Sequence, residues 1–324
     1  MKAHVVAVID DFQGKSLETI ENCLPSDWTL IVTKSSAQSD VQAAMVDADV
    51  VFLMGKAVTA PMVQSAKKLS FIQKLGAGVD NIDLQACREA GVAVAKLHGG
   101  NAVPVAEHTL LMTLATLRRL AQLDRETRNG NWVREQARTI SRQLSGKTVG
   151  IVGFGAIGRA YARVLRGFDA KVNYFDIVRA PEPLCQQLNA SHMGFEELLR
   201  TSDVISVHTP LTALTRHLFG KREFEMMKPS AVFINCARGG IVDEDALFDV
   251  LTRNVIHGAG IDVFAQEPAP KSTRFFELDN CVVTPHTAGG TVDNFEYVVN
   301  RAIENVQRLD RGEALPEGDL VTSK

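Results

Sequence analysis

The sequence predicts an α/β protein made of two doubly wound parallel-sheet domains. Three observations predict it: 324 residues exceed the usual size of one hydrophobic core, short apolar runs alternate with helical patterns, and the pattern breaks at Leu97-His98-Gly99-Gly100. Before the break the candidate strands are residues 4–9, 50–54, 71–75 and 92–95. After it come residues 148–152, 172–175, 204–208, 231–234, 258–263 and 281–284. Ten runs are too many for one small sheet, and their continuous apolar character suits strands covered by helices on both faces.

Between the two groups, residues 103–122 are apolar at helical spacing, with Glu107 early and Arg118-Arg119 late, as the helix dipole prefers. One long helix is expected there. Residues 125–142, with Trp132, are needed by neither sheet and read as a linker that could serve a subunit interface. Trp132 itself reads as a packing residue. Residues 292–311 form a last helical pattern, with Gly312 as its stop signal.

Composition narrows the class of protein. Hydrophobic residues at 45% and charged residues at 23% exclude disordered and collagen-like chains. Thirty-five Lys and Arg against 38 Asp and Glu leave a net charge of -3, without the basic excess that phosphate-backbone binding demands, so no nucleic-acid partner is expected. Cys23, Cys87, Cys185, Cys236 and Cys281 are odd in number and form no CxxC, which suggests neither a disulfide framework nor a thiolate zinc site. A reducing cytoplasm fits. The N-terminus shows no signal-peptide pattern, and no apolar run approaches the roughly 20 residues of a membrane helix. His108, His208, His217 and His257 are dispersed and no HExxH occurs, so no metal is expected.

The sharpest motif is Gly153-Phe154-Gly155-Ala156-Ile157-Gly158, directly after the strand at 148–152 and opening a helical run to Leu165. The first glycine permits a tight turn, the second lets backbone approach a pyrophosphate, and the third lets helix and strand pack closely. The helix N-terminus then stabilises the negative charge. Eighteen positions after Gly158 the next strand ends at Asp176, whose carboxylate can accept hydrogen bonds from a ribose diol. A 2′-phosphate would meet Asp176 as a like charge, which favours NAD; Arg179 is the argument for NADP. The competing reading, a glycine-rich turn beside a solvated acid, does not account for the complete order of strand, turn, helix, strand and acid. A Rossmann-type cofactor domain is expected.

Arg238, Glu267 and His286 each follow a predicted strand of the second group. In open parallel sheets the ligand crevice lies beyond the carboxyl ends of the strands, where these three could converge. Singly, each has an ordinary structural reading as a surface charge, a loop acid before Pro268 and a buried imidazole.

Over most of its length the chain resembles the D-2-hydroxyacid dehydrogenase family. The matching stretches are Leu75-Gly76-Ala77-Gly78-Val79-Asp80-Asn81-Ile82-Asp83, Val105-Ala106-Glu107-His108, residues 152–158 and His208-Thr209-Pro210-Leu211-Thr212. They continue with Asn235-Cys236-Ala237-Arg238-Gly239-Gly240, Gly260-Ile261-Asp262-Val263-Phe264, Glu267-Pro268 and Thr284-Pro285-His286. The resemblance implies a discontinuous, flavodoxin-like substrate domain of residues 1–99 and 290–324, and an NAD-binding domain of residues 100–289. It implies Arg238, Glu267 and His286 as the catalytic set, and His208, Thr209, Pro210, Cys236, Ala237 and Asp262 as cofactor-binding residues beside the glycine motif. Asn101 is implied near the nicotinamide, backbone amides of Gly78 and Val79 at the substrate carboxylate, and Lys56 in a loop over the cleft, where it could meet the distal end of a substrate; the competing reading of Lys56 is a solvated surface lysine. A homodimer is implied too, and some relatives place an aromatic of the 125–142 segment in the neighbouring subunit's site. One departure is Pro104, where the family pattern has Ser; proline suits the first turn of a helix.

The chemistry expected is hydride transfer between NAD(H) and a 2-oxo acid / D-2-hydroxy acid pair. Arg238 has the planar fork to hold the carboxylate and polarise the carbonyl oxygen, His286 exchanges the proton, and Glu267 orients the imidazole and favours its charged form. A small 2-oxo acid such as hydroxypyruvate or glyoxylate is the expected substrate, with 3-phosphoglycerate dehydrogenase as an alternative. A second alternative is a non-catalytic, NAD-sensing corepressor; retention of all three catalytic types and a chain ending near Lys324 without a long tail argue against it. Formate or phosphite oxidation is disfavoured, because the extended N-terminal region of formate enzymes is not seen.

Overall fold

Valine- and isoleucine-rich stretches of three to five residues supply the strands, where β-branched side chains pack well on a pleated surface. The structure, a computed structural model, describes residues 2–35 and 37–322; the expected chain end at Lys324 lies outside the described residues. In chain order the strands are β1 (Val5–Val8), β2 (Thr29–Val32), β3 (Val50–Leu53), β4 (Phe71–Lys74), β5 (Ala93–Ala95), β6 (Thr148–Val152), β7 (Lys171–Phe175), β8 (Ala190–His192), β9 (Val204–Val207), β10 (Val232–Asn235), β11 (Gly258–Ile261), β12 (Cys281–Val283) and β13 (Leu320–Thr322). Two compact units result, Met1–Asn101 with Gly290–Lys324, and Ala102–Gly289.

The first unit carries a six-stranded sheet in the order β13-β5-β4-β3-β1-β2. Apart from antiparallel β13 this is the flavodoxin order, 2-1-3-4-5. The second unit carries seven parallel strands in the order β12-β11-β10-β9-β6-β7-β8, the Rossmann order with one strand added. Central strands β3, β4, β9, β10 and β11 are buried at every residue, as helices on both faces require.

Three strands, β2, β8 and β13, fall outside the ten expected from the sequence. Each lies at the edge of a sheet or is only partly buried, so its apolar signal is weak. The expected single helix at 103–122 is also corrected. It is two helices, Ala102–Leu117 and Leu120–Arg128, because Arg119 turns left-handed at φ 54° and its guanidinium donates to the His257 carbonyl oxygen at 2.6 Å. Arginine is a good helix former, so nothing local marks this break. The first helix is deeply buried against β11, where glycine lets it approach: a Cβ on Gly260 would lie 3.0 Å from Thr116 Oγ1. The second helix and the following Arg134–Ile140 helix bury no residue, and Trp132 between them is 83% exposed.

No helix among the described residues is long and apolar enough to cross a membrane.

Candidate active site

Strand order in the second unit reverses at β6, whose neighbours are β7 and β9, so the crevice forms beyond the carboxyl ends of β6 and β9. Gly153 begins there at φ 96°, and a Cβ on it would lie 2.7 Å from the His208 carbonyl carbon. A Cβ on Gly158 would lie 2.2 Å from the Gly153 carbonyl oxygen. The middle glycine, Gly155, faces open space, and the Ala156–Leu165 helix starts immediately after it. Ile157 is half-buried in its first turn, and the Phe154 ring is buried and stacked on Tyr174 with centroids 4.0 Å apart.

Asp176, just after β7, receives the Phe154 N–H on Oδ2 at 2.6 Å and the Val178 N–H on Oδ1 at 3.1 Å. The acid therefore fastens the glycine turn, and each oxygen keeps acceptor capacity for a further donor. After β9, His208 Nδ1 and Thr209 Oγ1 are buried without a partner among the described residues. Burial pushes the His208 imidazole down to about 3, so it is neutral, and its Nε2 meets Ser206 Oγ at 2.9 Å. Orphaned buried polar groups are costly unless something satisfies them. Two of them beside an open glycine turn at a helix N-terminus fit a bound dinucleotide. Pro210 is exposed and its carbonyl accepts from Thr215 Oγ1 at 2.6 Å.

Arg238 follows β10 on a turn templated by buried Asn235. The Asn235 amide donates to the Arg238 carbonyl oxygen and accepts the Ala237 N–H, both at 3.0 Å. Arg238 is half-buried and its Nη1 donates to the Ala237 carbonyl oxygen at 2.7 Å. Next to it, burial and the nearby Asp262 charge push the Cys236 thiol up to about 12, against a hydrogen bond from Thr109, so it stays protonated and is no nucleophile.

Glu267 and His286 meet: Nδ1 of the ring lies 2.7 Å from Glu267 Oε2. Glu267 Oε1 accepts the Phe264 N–H at 2.9 Å. Burial alone would raise the Glu267 carboxyl, but the His286 imidazole, the Phe264 N–H and the Arg238 charge outweigh it and hold the group below the usual carboxylate range. Arg238, Glu267 and His286 are thus brought to one place in this unit. Asp262 sets the His286 loop. Its backbone oxygen accepts the His286 N–H at 2.7 Å, and its fully buried carboxylate accepts Thr284 Oγ1 at 2.6 Å, Thr287 N–H at 2.8 Å and Ala288 N–H at 2.9 Å. Burial raises the Asp262 carboxyl, and these donors with His108 outweigh it and hold it low. The Asp262 carboxylate is therefore taken up by its own loop.

The expected substrate residues other than Arg238 belong to the first unit. Gly78 and Val79 lie in the half-buried turn after β4, and neither amide donates a backbone hydrogen bond among the described residues. Lys56 is half-buried after β3; its N–H and that of Gly55 are held by Asp10 Oδ1 at 3.0 and 2.6 Å. Asn101 Oδ1 is buried without a partner among the described residues. Asn235, Asp10 and Thr284 went without a role in the sequence; the only available signal was a polar residue at a strand end.

The strand order, the glycine turn and the orphaned groups define a class, the dinucleotide-binding α/β proteins. Residues 110–288 match the family described as D-isomer specific 2-hydroxyacid dehydrogenase, NAD binding domain. A glyoxylate reductase of Thermococcus litoralis is 36% identical over 286 residues, 86% of each chain. A D-3-phosphoglycerate dehydrogenase of Archaeoglobus fulgidus is 38% identical over 234 residues, which are 72% of this chain and 44% of that one. This chain thus spans less than half of the Archaeoglobus relative. Among solved structures, D-lactate dehydrogenase of Aquifex aeolicus complexed with NAD and lactic acid aligns over 99% of both chains with a TM-score of 0.85 and 26% identity. The chain belongs to the D-isomer specific 2-hydroxyacid dehydrogenase family.

Proposed function

We propose that this protein is an NAD-linked reductase of a small 2-oxo acid, such as hydroxypyruvate or glyoxylate, forming the D-2-hydroxy acid. The observation that carries the reading is the His286–Glu267 pair at 2.7 Å with the Arg238 charge beside it. The similarity to a glyoxylate reductase over 86% of both chains supports it. NAD(H) supplies or takes up the hydride when bound. The residues to hold it are the 153–158 turn, Asp176, and the strand-end residues His208, Thr209, Pro210, Cys236 and Ala237.

Reduction builds negative charge on the carbonyl oxygen, and the residues divide the task of stabilising it. Arg238 presents a planar set of donors to the substrate. His286, charged, donates a proton to the developing alkoxide through Nε2, because Nδ1 is occupied by Glu267; in oxidation the neutral ring removes it. Gly78 and Val79 offer their backbone amides to a carboxylate. Lys56 offers a cation to a hydroxyl or phosphate at the distal end of the substrate. Asn101 Oδ1 is an acceptor for the nicotinamide carboxamide.

The working form is a cytoplasmic homodimer in this reading. The support is the 120–140 region, two helices with no buried residue and Trp132 83% exposed, which a second copy would cover. A solution mass of twice 35.3 kDa is expected.

Asp176 makes the cofactor choice testable. Asp176→Ser removes the diol acceptor and the repulsion toward a 2′-phosphate, and should narrow the NADH to NADPH ratio about tenfold or more. A parent enzyme that uses NADPH better would contradict the assignment.

The function is tested by kcat/KM for glyoxylate, hydroxypyruvate, phosphohydroxypyruvate and pyruvate with NADH, on the wild type and on Lys56→Ala. We expect turnover of the small acids, and a loss of about tenfold in Lys56→Ala for the acids with a distal polar group but not for pyruvate. An equal loss for all acids would return Lys56 to a solvated role. Preference for the phosphorylated acid would favour the phosphoglycerate dehydrogenase alternative, and no turnover of any acid would favour a binding protein.

A further inference from the structure

The turn at Phe264 and Ala265 is held from three sides. The Phe264 N–H is bound by Glu267 Oε1 at 2.9 Å, and the Ala265 N–H is bound by Glu244 Oε1 at 2.6 Å. Against it lies Gly239, the residue after Arg238, so closely that a Cβ there would fall 1.9 Å from the Phe264 carbonyl carbon and 2.3 Å from the Ala265 nitrogen. Glu244 opens the Glu244–Thr252 helix, whose cap Asp243 accepts the Asp245 and Ala246 N–H groups at 3.1 Å. That cap frees the Glu244 carboxylate to reach the neighbouring turn rather than its own helix. Charged groups around it are Asp243 and Asp245 on its own element and Arg274, which pairs with Asp245 and lies 4.3 Å over the Phe248 ring.

We propose that Glu244 is a positioning residue of this reaction: it fastens the 264–267 turn against the Arg238 loop and so sets where the Glu267 carboxylate meets His286. The inference rests on the acid–base reading of Glu267 and His286 given above. A lone contact would be ordinary loop support. Here the turn that Glu244 fastens also binds, through the Phe264 N–H of the adjoining peptide, the carboxylate that orients the proton donor, so its displacement misplaces that carboxylate.

The test compares Glu244→Ala, Glu244→Gln, Glu267→Gln and the double variant Glu244→Ala/Glu267→Gln. The readouts are kcat/KM for reduction, the pH midpoint of its alkaline limb, KM for NADH and Tm. Glu244→Ala should lower kcat/KM about tenfold and move the midpoint to lower pH, in the direction of Glu267→Gln, with KM for NADH unchanged. Glu244→Gln keeps an acceptor oxygen and should restore both within about twofold. In the Glu267→Gln background, Glu244→Ala should cost less than about twofold, since no carboxylate remains to be positioned. If Glu244→Ala fails to fold, Glu244→Met, of similar length without an acceptor, takes its place. A full tenfold penalty in the Glu267→Gln background, or a lowered Tm with an unmoved midpoint, would overturn the role of Glu244 while leaving that of Glu267 standing. A Glu267→Gln midpoint equal to the wild type would instead remove the acid–base reading, and this inference with it.

Discussion

His286→Ala should reduce kcat for 2-oxo acid reduction by two to four orders of magnitude while leaving NADH affinity within about twofold of the wild type. The Nδ1 of the imidazole is already committed to Glu267 at 2.7 Å, which leaves Nε2 to give its proton to the substrate oxygen. The ring is held by backbone as well. The His286 N–H is bound by the Asp262 carbonyl oxygen at 2.7 Å, a bond that alanine retains, so the loop should stay in place and only the proton donor be removed. Stopped-flow reduction with fluorescence titration of NADH separates the two effects. A variant that retains more than a tenth of wild-type kcat would reassign the proton donor.

Arg238→Lys should lower kcat/KM by about a hundredfold or more, although the charge is kept. A planar guanidinium presents several donors in fixed directions, whereas an ammonium is a compact charge on a flexible stem and cannot bind a carboxylate and polarise a carbonyl in one geometry. The turn that carries position 238 is shaped by the Asn235 side chain through two hydrogen bonds at 3.0 Å, so the substitution does not disturb the backbone. Steady-state kinetics against the preferred 2-oxo acid, with Tm as a control, checks this. A loss below about fivefold would mean that Arg238 acts only as a distant charge.

The buried centres of both sheets were legible from the sequence because helices on both faces force continuous apolar strands, as in β3 and β10. Three of the four edge strands, β2, β8 and β13, were not: β8 presents one buried residue, and β13 pairs antiparallel across a separation of more than 200 residues, which no local pattern encodes. The break at Arg119 was hidden for a similar reason, since the His257 carbonyl that captures its guanidinium comes from a distant loop. At the site, the glycine turn could be read because Gly153 and Gly158 answer close backbone approaches. The supports of Arg238, Glu267 and His286 could not. Glu244 and the Asp262 carboxylate act through tertiary hydrogen bonds and Asn235 through bonds within its own turn, and in the sequence they are ordinary helix-start, loop and strand-end residues.

The most direct measurement of the central claim is the pH dependence of reduction and of oxidation for the wild type and Glu267→Gln. The Glu267 carboxyl is held below its usual range, so it is an anion at neutral pH, and an anion 2.7 Å from Nδ1 favours the imidazolium. Reduction needs that charged ring and falls as pH rises; oxidation needs the neutral ring and falls as pH drops. A neutral amide at position 267 removes the stabilisation of the charged form, so both midpoints should move to lower pH, by about half a unit or more for a pair that is partly exposed. Midpoints that stay where they are in the wild type, even with turnover reduced, would contradict the pairing of Glu267 with His286 as the source of the proton.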